Sequence, residues 1–195
     1  MSSLATIPVG VAPGVEPRRR QLLFASTFAA GGSAVLVLTL LGAYLQQRSA
    51  VGDAWLAENN IPLTQPTMQL FTLLMSMFTV QWAVYAIARD QRGYAYLAAG
   101  LSIMLGLAFI NQTWFLYTRV ELPLDSTEGP LFYAATGAHL AMLGAAIVLL
   151  GLNTLRSLLG AMSSRRPDGF AAAAIYWHVM AGLYFAIWLG VYVLK

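Results

Sequence analysis

The chain has 195 residues, of which 58% are hydrophobic and 10% are charged, with a formal net charge of +3 and no cysteine. Together with a mean hydropathy of +0.66, this composition lies outside the range of soluble globular domains and predicts a protein whose solvent is lipid. The missing cysteines exclude disulfides, iron–sulfur clusters, thiolate zinc sites and a cysteine nucleophile. The small positive charge is better explained by arginines around a membrane than by a nucleic-acid partner.

Residues 1–20 are predicted to form a mobile cytoplasmic arm. They are rich in Ser, Pro, Gly and Val, have no helical period, and end in Arg18, Arg19 and Arg20. A cleaved signal peptide is the alternative, but its apolar core is normally too short to span a bilayer, and the apolar run that follows here is long enough. We therefore expect residues 21–195 to form a single membrane domain.

Five apolar segments are each long enough, at about 1.5 Å per helical residue, to cross a hydrocarbon layer of about 30 Å. The expected spans are residues 22–45, 66–88, 94–117, 130–155 and 170–194. The predicted fold class is therefore all-α, a polytopic membrane protein with a bundle of five transmembrane helices.

Small residues at four-residue spacing predict close helix contacts within this bundle, because small side chains let two helix backbones approach each other in lipid. The third span carries Ala98, Ser102 and Gly106, and the fourth carries Gly137, Ala141 and Ala145. The second stripe lies on the side of its helix opposite His139.

The distribution of basic residues predicts the orientation of the bundle. With the N-terminus inside, the inner segments carry eight basic residues and the outer segments carry three. The inner ones are Arg18, Arg19, Arg20, Arg89, Arg92, Arg156, Arg165 and Arg166, and the outer ones are Arg48, Arg119 and Lys195. Because basic residues concentrate in short cytoplasmic loops, we expect the N-terminus inside and the C-terminus outside.

The five spans contain no Asp, Glu, Lys or Arg, which argues against a proton pump or an ion-coupled transporter. His139 and His178 are candidate axial ligands of a haem b between the fourth and fifth helices. His139 is expected about 13 Å from the outer end of its span, and His178 about 12 Å from the inner end of its own. In a hydrocarbon layer of about 30 Å the two rings would therefore lie at depths that differ by roughly 5 Å, which does not favour such a site. We prefer the alternative that each histidine forms a hydrogen bond across a helix contact.

Asn111, Gln112 and Trp114 suggest a quinone pocket, since an amide and an indole suit a carbonyl and a ring. Hydrogen bonding between helices near the outer interface is the alternative that we prefer. The sequence has no Gly-rich phosphate loop, no His/Cys cluster with metal-ligand spacing and no nucleophile triad. We therefore do not expect this chain to catalyse a reaction on its own.

Three motifs and a weaker fourth occur in the order of a known family. The first is residues 73–83, which include Ser76, Thr79 and Trp82; the second is Phe132-Tyr133-x-x-Thr136-Gly137-x-His139; the third is Tyr176-Trp177-His178; the weaker one is Gly106-x-x-Phe109-x-x-Gln112. On these residues the chain resembles the third subunit of haem-copper terminal oxidases, in its short five-helix bacterial form.

The resemblance implies a non-catalytic accessory subunit of an aerobic respiratory oxidase. Such a subunit would pack beside catalytic subunit I in the bacterial inner (cytoplasmic) membrane and support its stability, lipid environment or proton supply. It would hold no cofactor itself, with haem and copper in partner subunits and a bound phospholipid as its own ligand. The alternative is a haem- or quinone-binding electron-transfer subunit that uses His139 and His178.

The signature residues that the resemblance implies are packing residues rather than catalytic, cofactor-binding or metal-binding ones. They are Ser76, Thr79, Trp82, Gln112, Phe132, Thr136, Gly137, His139, Tyr176, Trp177 and His178.

Several positions depart from the family pattern, and each departure removes a charged or titratable group. Where the family has a histidine pair, this chain has Val84-Tyr85, and where the family has a second histidine in the fourth span, it has Met142. Phe115 stands in place of a glutamate and Ala181 in place of an aspartate, and the first span lacks the glutamate often found there. The resemblance therefore does not imply that this chain collects protons or binds lipid head groups through those residues. It still implies the packing role.

Overall fold

The computed structural model describes residues 20–55, 61–120, 122–160 and 168–194. Its helices are α1 (Gln21–Val51), α2 (Thr64–Ala88), α3 (Arg92–Val120), α4 (Glu128–Leu158) and α5 (Asp168–Ile187). A short 3₁₀ turn follows α1, and α5 continues into a π-helical segment, Trp188–Val193. No β-strand occurs in these described ranges, and all five helices are long and apolar enough to cross a membrane. The predicted all-α fold with five spans is confirmed, whereas the N-terminal arm, except for Arg20, lies outside the described residues.

The helices extend past the apolar runs that predicted them. The first continues from the expected end at residue 45 to Val51, and the third continues from residue 117 to Val120. Backbone hydrogen bonds that are obligatory in hydrocarbon also form at the lipid–water interface, so a helix need not end where its apolar run ends. The extension carries Arg48, whose Nη1 donates to the Gly190 carbonyl at 3.3 Å.

The last helix, α5, lies at the centre of the bundle. It packs against α1, α2 and α4, while α3 packs against α2 and α4. In the most apolar window of its span, 61% of the residues are buried, compared with 22–39% for the other four helices. Its small residues, among them Ala173 and Ala181, permit close approach from several sides. Side chains of α5 can therefore contact several other helices.

The outward surfaces of the helices are apolar. Phe24 and Phe28 of α1, Phe78 of α2 and Trp114 of α3 are all exposed. In water such a continuous apolar surface would cause association, whereas in hydrocarbon it needs no cover. The five spanning helices and their apolar exterior together describe a multi-pass membrane protein.

The two small-residue stripes have different outcomes. On α3, Ala98 and Ser102 are fully buried, and a Cβ atom added to Gly106 would lie 2.9 Å from the side chains of Ile147 and Trp177. On α4, Ala141 and Ala145 are exposed. Within the described part of the chain, the helix contact expected of the α4 stripe is therefore not made at these two alanines, because α4 turns its His139 side towards α5 and this part of its opposite side outward.

Candidate functional site in the interior of the bundle

Four side-chain hydrogen bonds connect α2 to α5 and its π-helical extension. Trp188 Nε1 donates to Thr67 Oγ1 at 3.2 Å, the Tyr184 hydroxyl to Gln69 Oε1, Trp177 Nε1 to Ser76 Oγ at 2.8 Å, and His178 Nε2 to Gln81 Oε1 at 3.1 Å. The first three pairs follow the order of antiparallel helices, since residue numbers rise along α2 as they fall along α5, and the pair Gln81–His178 lies beside the third. We call these eight residues the α2–α5 seam.

Trp177 occupies the middle of the seam, and its surroundings explain three of the sequence motifs. The side chain is 0% exposed, and the Ser76 hydroxyl that accepts its hydrogen bond donates in turn to the Leu73 carbonyl at 2.6 Å. Atom Cη2 of the indole would lie 2.9 Å from a Cβ atom at Gly106. The glycine of α3 is therefore needed because any larger residue would occupy the space of the indole ring.

Gln69 connects the seam to α3. Its Oε1 accepts the hydrogen bond from Tyr184, while its Nε2 donates to Thr113 Oγ1 at 3.1 Å. Gln69 is one of the few amides within the predicted spans, and the sequence motifs include neither it nor Tyr184 and Thr113. The spacing of these residues indicates the Gln69–Tyr184 contact. Gln69 lies seven residues before Ser76, and Tyr184 lies seven residues after Trp177. Seven residues are about two helical turns, so each pair lies on one face of its helix.

His139 lies in the core between α3, α4 and α5. The side chain is 1% exposed, and its Nε2 lies 2.8 Å from the Met180 carbonyl oxygen. Because a carbonyl can only accept, this nitrogen carries the hydrogen and donates it. The ring centroid is 5.7 Å from that of Phe109 and 5.4 Å from that of Tyr184. The Nε2 atom is thus engaged in a contact with α5.

His178 lies nearer the surface of the bundle and is only partly buried. Its Nε2 contacts Gln81 of α2, and its Nδ1 is buried with no hydrogen-bond partner among the described residues. A haem between two axial histidines needs both imidazoles on one iron, but His139 and His178 make separate contacts with α5 and α2. In the ranges that the structure describes, no group of three or more His, Asp or Glu residues could hold a metal ion.

Tyr176 extends the interior contacts to α1. Its hydroxyl lies 2.9 Å from Ser33 Oγ, and the sulfur of Met142 on α4 accepts from Tyr176 at 3.5 Å and from Ser33 at 3.3 Å. Successive residues on a helix point in different directions. The Tyr176-Trp177-His178 motif consequently connects α5 with α1 and α4 through its first residue and with α2 through the other two.

Phe132, Thr136 and Gly137 surround Tyr117 of α3. Phe132 is fully buried and packs edge-to-face against Tyr117 with a centroid distance of 6.1 Å. The Thr136 hydroxyl lies 2.8 Å from the Tyr117 hydroxyl, and a Cβ atom at Gly137 would be 3.9 Å from that same hydroxyl. The second motif thus forms the contact between α3 and α4.

The remaining signature residues lie between α2 and α3. Thr79 Oγ1 is 2.7 Å from Ser102 Oγ, and Gln112 Nε2 donates to Thr72 Oγ1 at 3.4 Å. Trp82 differs, because it is 39% exposed, with its ring centroid 6.2 Å from that of Tyr94. Trp82 therefore lies at the margin of the bundle.

The residues of the suggested quinone pocket do not come together. Asn111 and Trp114 are exposed on the outer surface of α3, whereas Gln112 turns towards α2. Gln112 instead lines a different cavity with Gln65, Met68 and Phe115.

Comparison with known proteins supplies the family. A family model described as cytochrome c oxidase subunit III matches residues 20–195. Cytochrome c oxidase subunit 3 of Branchiostoma lanceolatum is 33% identical over 131 residues, which are 66% of this chain and 48% of that protein. The corresponding proteins of Patiria pectinifera and Danio rerio are each 32% identical over 133 residues, which are 68% of this chain and 50% and 49% of theirs.

The chain spans about half the length of the curated relatives that it matches. The family match, in contrast, includes all five helices and the motif residues that hold them together. The chain belongs to the cytochrome c oxidase subunit III family.

Proposed function

We propose that this chain is a non-catalytic accessory subunit of a haem-copper terminal oxidase in an aerobic respiratory chain. The family match over residues 20–195 carries the proposal. The interior agrees with it, because His139 and His178, the two imidazole rings of the spans, make hydrogen bonds between helices. The subunit packs beside the catalytic subunit and supports its stability, lipid environment or proton supply.

The partners and cofactors of this proposal follow from the family. Subunit I and the other oxidase subunits are the protein partners, and they hold the haem and copper. This chain holds no metal or redox cofactor and binds membrane lipid, including a phospholipid. Its location is the bacterial inner membrane, as the short five-helix form of the family implies.

We also propose that residues 1–20 form a cytoplasmic arm and residues 21–195 a single transmembrane domain, with the N-terminus inside and the C-terminus outside. The supporting observation is the eight-to-three bias of basic residues. Because the chain has no cysteine, Ser49→Cys and Ser164→Cys each introduce one labelling site. An impermeant thiol reagent should label the first only from outside and the second only from inside. Labelling of both from one side would contradict the orientation.

The function is tested by purifying the complex through a tag on this chain. The tagged chain should be extracted from membranes of its own organism together with a haem-containing catalytic subunit, in a fixed ratio. A strain that lacks the chain should yield a catalytic subunit with unchanged haem content that still reduces oxygen, but with a lower apparent melting temperature in detergent.

The isolated chain provides the control for the alternative electron-transfer function. Its optical spectrum should show no stoichiometric haem after expression in a haem-replete cell. A haem band from the chain alone, or loss of one haem from the complex when the chain is deleted, would replace the accessory function by a redox function.

A further inference from the structure

Gln81 is an amide at membrane depth on the lipid-facing surface of the bundle. It lies seven residues before the end of α2 at Ala88, which is about 10 Å along the helix axis and therefore within the hydrocarbon. Its side chain is exposed. The exposed side chains of Phe78 and Tyr85 beside it are aromatic and need no cover in lipid, whereas an amide without a partner is costly there. Gln81 therefore needs a partner that acyl chains cannot supply.

The hydrogen bond to His178 satisfies only part of this amide. Gln81 Oε1 accepts from His178 Nε2 at 3.1 Å, and a carbonyl oxygen has a second lone pair. The Nε2 atom of Gln81 carries two hydrogens, and within the described ranges the structure gives it no acceptor. The imidazole thus orients a carboxamide that keeps both a donor and an acceptor for a partner.

Gln81 belongs to a row of exposed side chains along α2, which we call the α2 face. The row consists of Phe71, Leu74, Phe78, Gln81 and Tyr85, at alternating spacings of three and four residues. This is the spacing of the residues along which the helices of a coiled coil meet. A single polar residue in such a row fixes the register and the number of helices that associate. The α2 face therefore has the pattern of a helix-pairing surface.

We propose that the α2 face binds a second copy of this chain. Two copies in one membrane are inserted in the same direction, so their α2 helices run parallel and identical positions meet across a two-fold axis. Gln81 of one copy then lies opposite Gln81 of the other, and the Nε2 of each donates to the Oε1 of the other. The pairing is self-complementary because a carboxamide carries both a donor and an acceptor.

Two other exposed features could offer a face to a second copy. Asn111 is an exposed amide on α3, and Ala141 and Ala145 form the exposed stripe on α4. Small residues permit close approach of a helix but do not require one. The amide of the α2 face differs from both features, because His178 of a neighbouring helix holds it in position. Asn111 and Ala145 therefore serve as controls.

Disulfide cross-linking tests the contact directly. Because the chain has no cysteine, a single introduced cysteine can form a disulfide only with a second copy. The full chain would be produced in a host without its partner subunits and its membranes oxidised. Phe78→Cys should give a disulfide-linked dimer. Ala145→Cys should stay monomeric, although it lies ten residues from the inner end of its expected span, as Phe78 does.

Sedimentation equilibrium of the purified full chain in detergent measures the dissociation constant of the dimer. Loss of two reciprocal hydrogen bonds predicts that Gln81→Leu raises this constant roughly fivefold to tenfold. Asn111→Leu is the matched control, since it replaces an exposed amide outside the α2 face, and it should leave the constant unchanged. The cross-linked variant keeps Gln81, so it tests the contact even if Gln81→Leu does not fold.

A monomeric unmodified chain would overturn the proposal, and this is the result expected if a helix of another protein covers the α2 face. Cross-linking of Ala145→Cys as readily as Phe78→Cys would also overturn it. So would equal dissociation constants for Gln81→Leu and the unmodified chain, since the dimer would then not depend on the amide. Neither measurement includes an oxidase subunit, so failure of the dimer leaves the proposed function untouched.

Discussion

The centre and the margin of the bundle use similar residues in contrasting ways. At the centre, Trp177 and His139 are almost completely buried, and each has its indole or imidazole Nε bonded to another helix. At the margin, Trp82 is 39% exposed and His178 is only partly buried. Both regions contain a tryptophan and a histidine from the sequence motifs.

The difference shows what fixes a helix bundle in lipid. The hydrophobic effect does not distinguish the interior from the surrounding hydrocarbon, so close packing and hydrogen bonds between helices decide the arrangement. Gly106 and Ser76 complete the surroundings of Trp177 on two helices, whereas the His178 side chain keeps part of its surface outside the bundle. We expect substitutions at the centre to disturb the fold and those at the margin to disturb it less.

The largest effect is expected from Gly106→Leu. The first added carbon atom would lie 2.9 Å from Trp177 and Ile147, and overpacking of this kind costs about 3 kcal/mol. For a chain of this size the apparent melting temperature in detergent should fall by roughly 6–12 °C. Gly100→Leu on the same helix is the control, because a Cβ atom there meets nothing within 4 Å. Equal losses of melting temperature in the two variants would show that Gly106 tolerates a larger side chain as well as Gly100 does.

A smaller loss is expected from His139→Ala. This substitution empties a fully enclosed site and removes the hydrogen bond to Met180, which together cost about 2 kcal/mol. Differential scanning fluorimetry of the purified chain would measure the change. An unchanged melting temperature would show that the imidazole does not hold α4 against α5.

Next comes Trp177→Phe, which keeps an aromatic ring but loses the hydrogen bond to Ser76, at a cost of about 1 kcal/mol. A double-mutant cycle with Ser76→Ala isolates the bond. In the Ser76→Ala background the same substitution should cost less. Additive losses would mean that the indole nitrogen and the hydroxyl do not interact.

The smallest effect is expected at the margin, from His178→Ala. Side-chain hydrogen bonds between membrane helices average about 0.6 kcal/mol, and the ring leaves little empty space because it is only partly buried. Its melting temperature should therefore fall by clearly less than that of His139→Ala. A reversed order would contradict the contrast between centre and margin.

The sequence predicts the five helices well because spanning a bilayer sets both their length and their composition. It also predicts the close contact at Gly106, as one of three small residues on a single face. It does not predict that the equally regular stripe of Ala141 and Ala145 faces outward. The rotation of a helix about its axis depends on its neighbours, and the spacing of small residues alone does not include them.

The sequence predicts that polar side chains form hydrogen bonds between helices, but it does not predict which group each of them contacts. A polar group left without a partner in hydrocarbon is costly, so His139 is expected to form a hydrogen bond between helices. Its partner is the backbone carbonyl of Met180, which no side-chain pattern reveals. Tyr184 was missed because a tyrosine within an apolar run resembles any other large side chain until Gln69 lies opposite its hydroxyl.

The central claim is that both histidines hold helices together and neither binds haem, and haem content tests it most directly. The double variant His139→Ala/His178→Ala would be purified within the whole oxidase complex and assayed for subunit content, haem per complex and oxygen consumption. Complexes that retain the subunit should have unchanged haem and unchanged oxygen consumption per complex, with a lower proportion of complexes that keep the subunit in detergent. Loss of one haem per complex while the subunit is still present would contradict the account and make the two histidines a redox site.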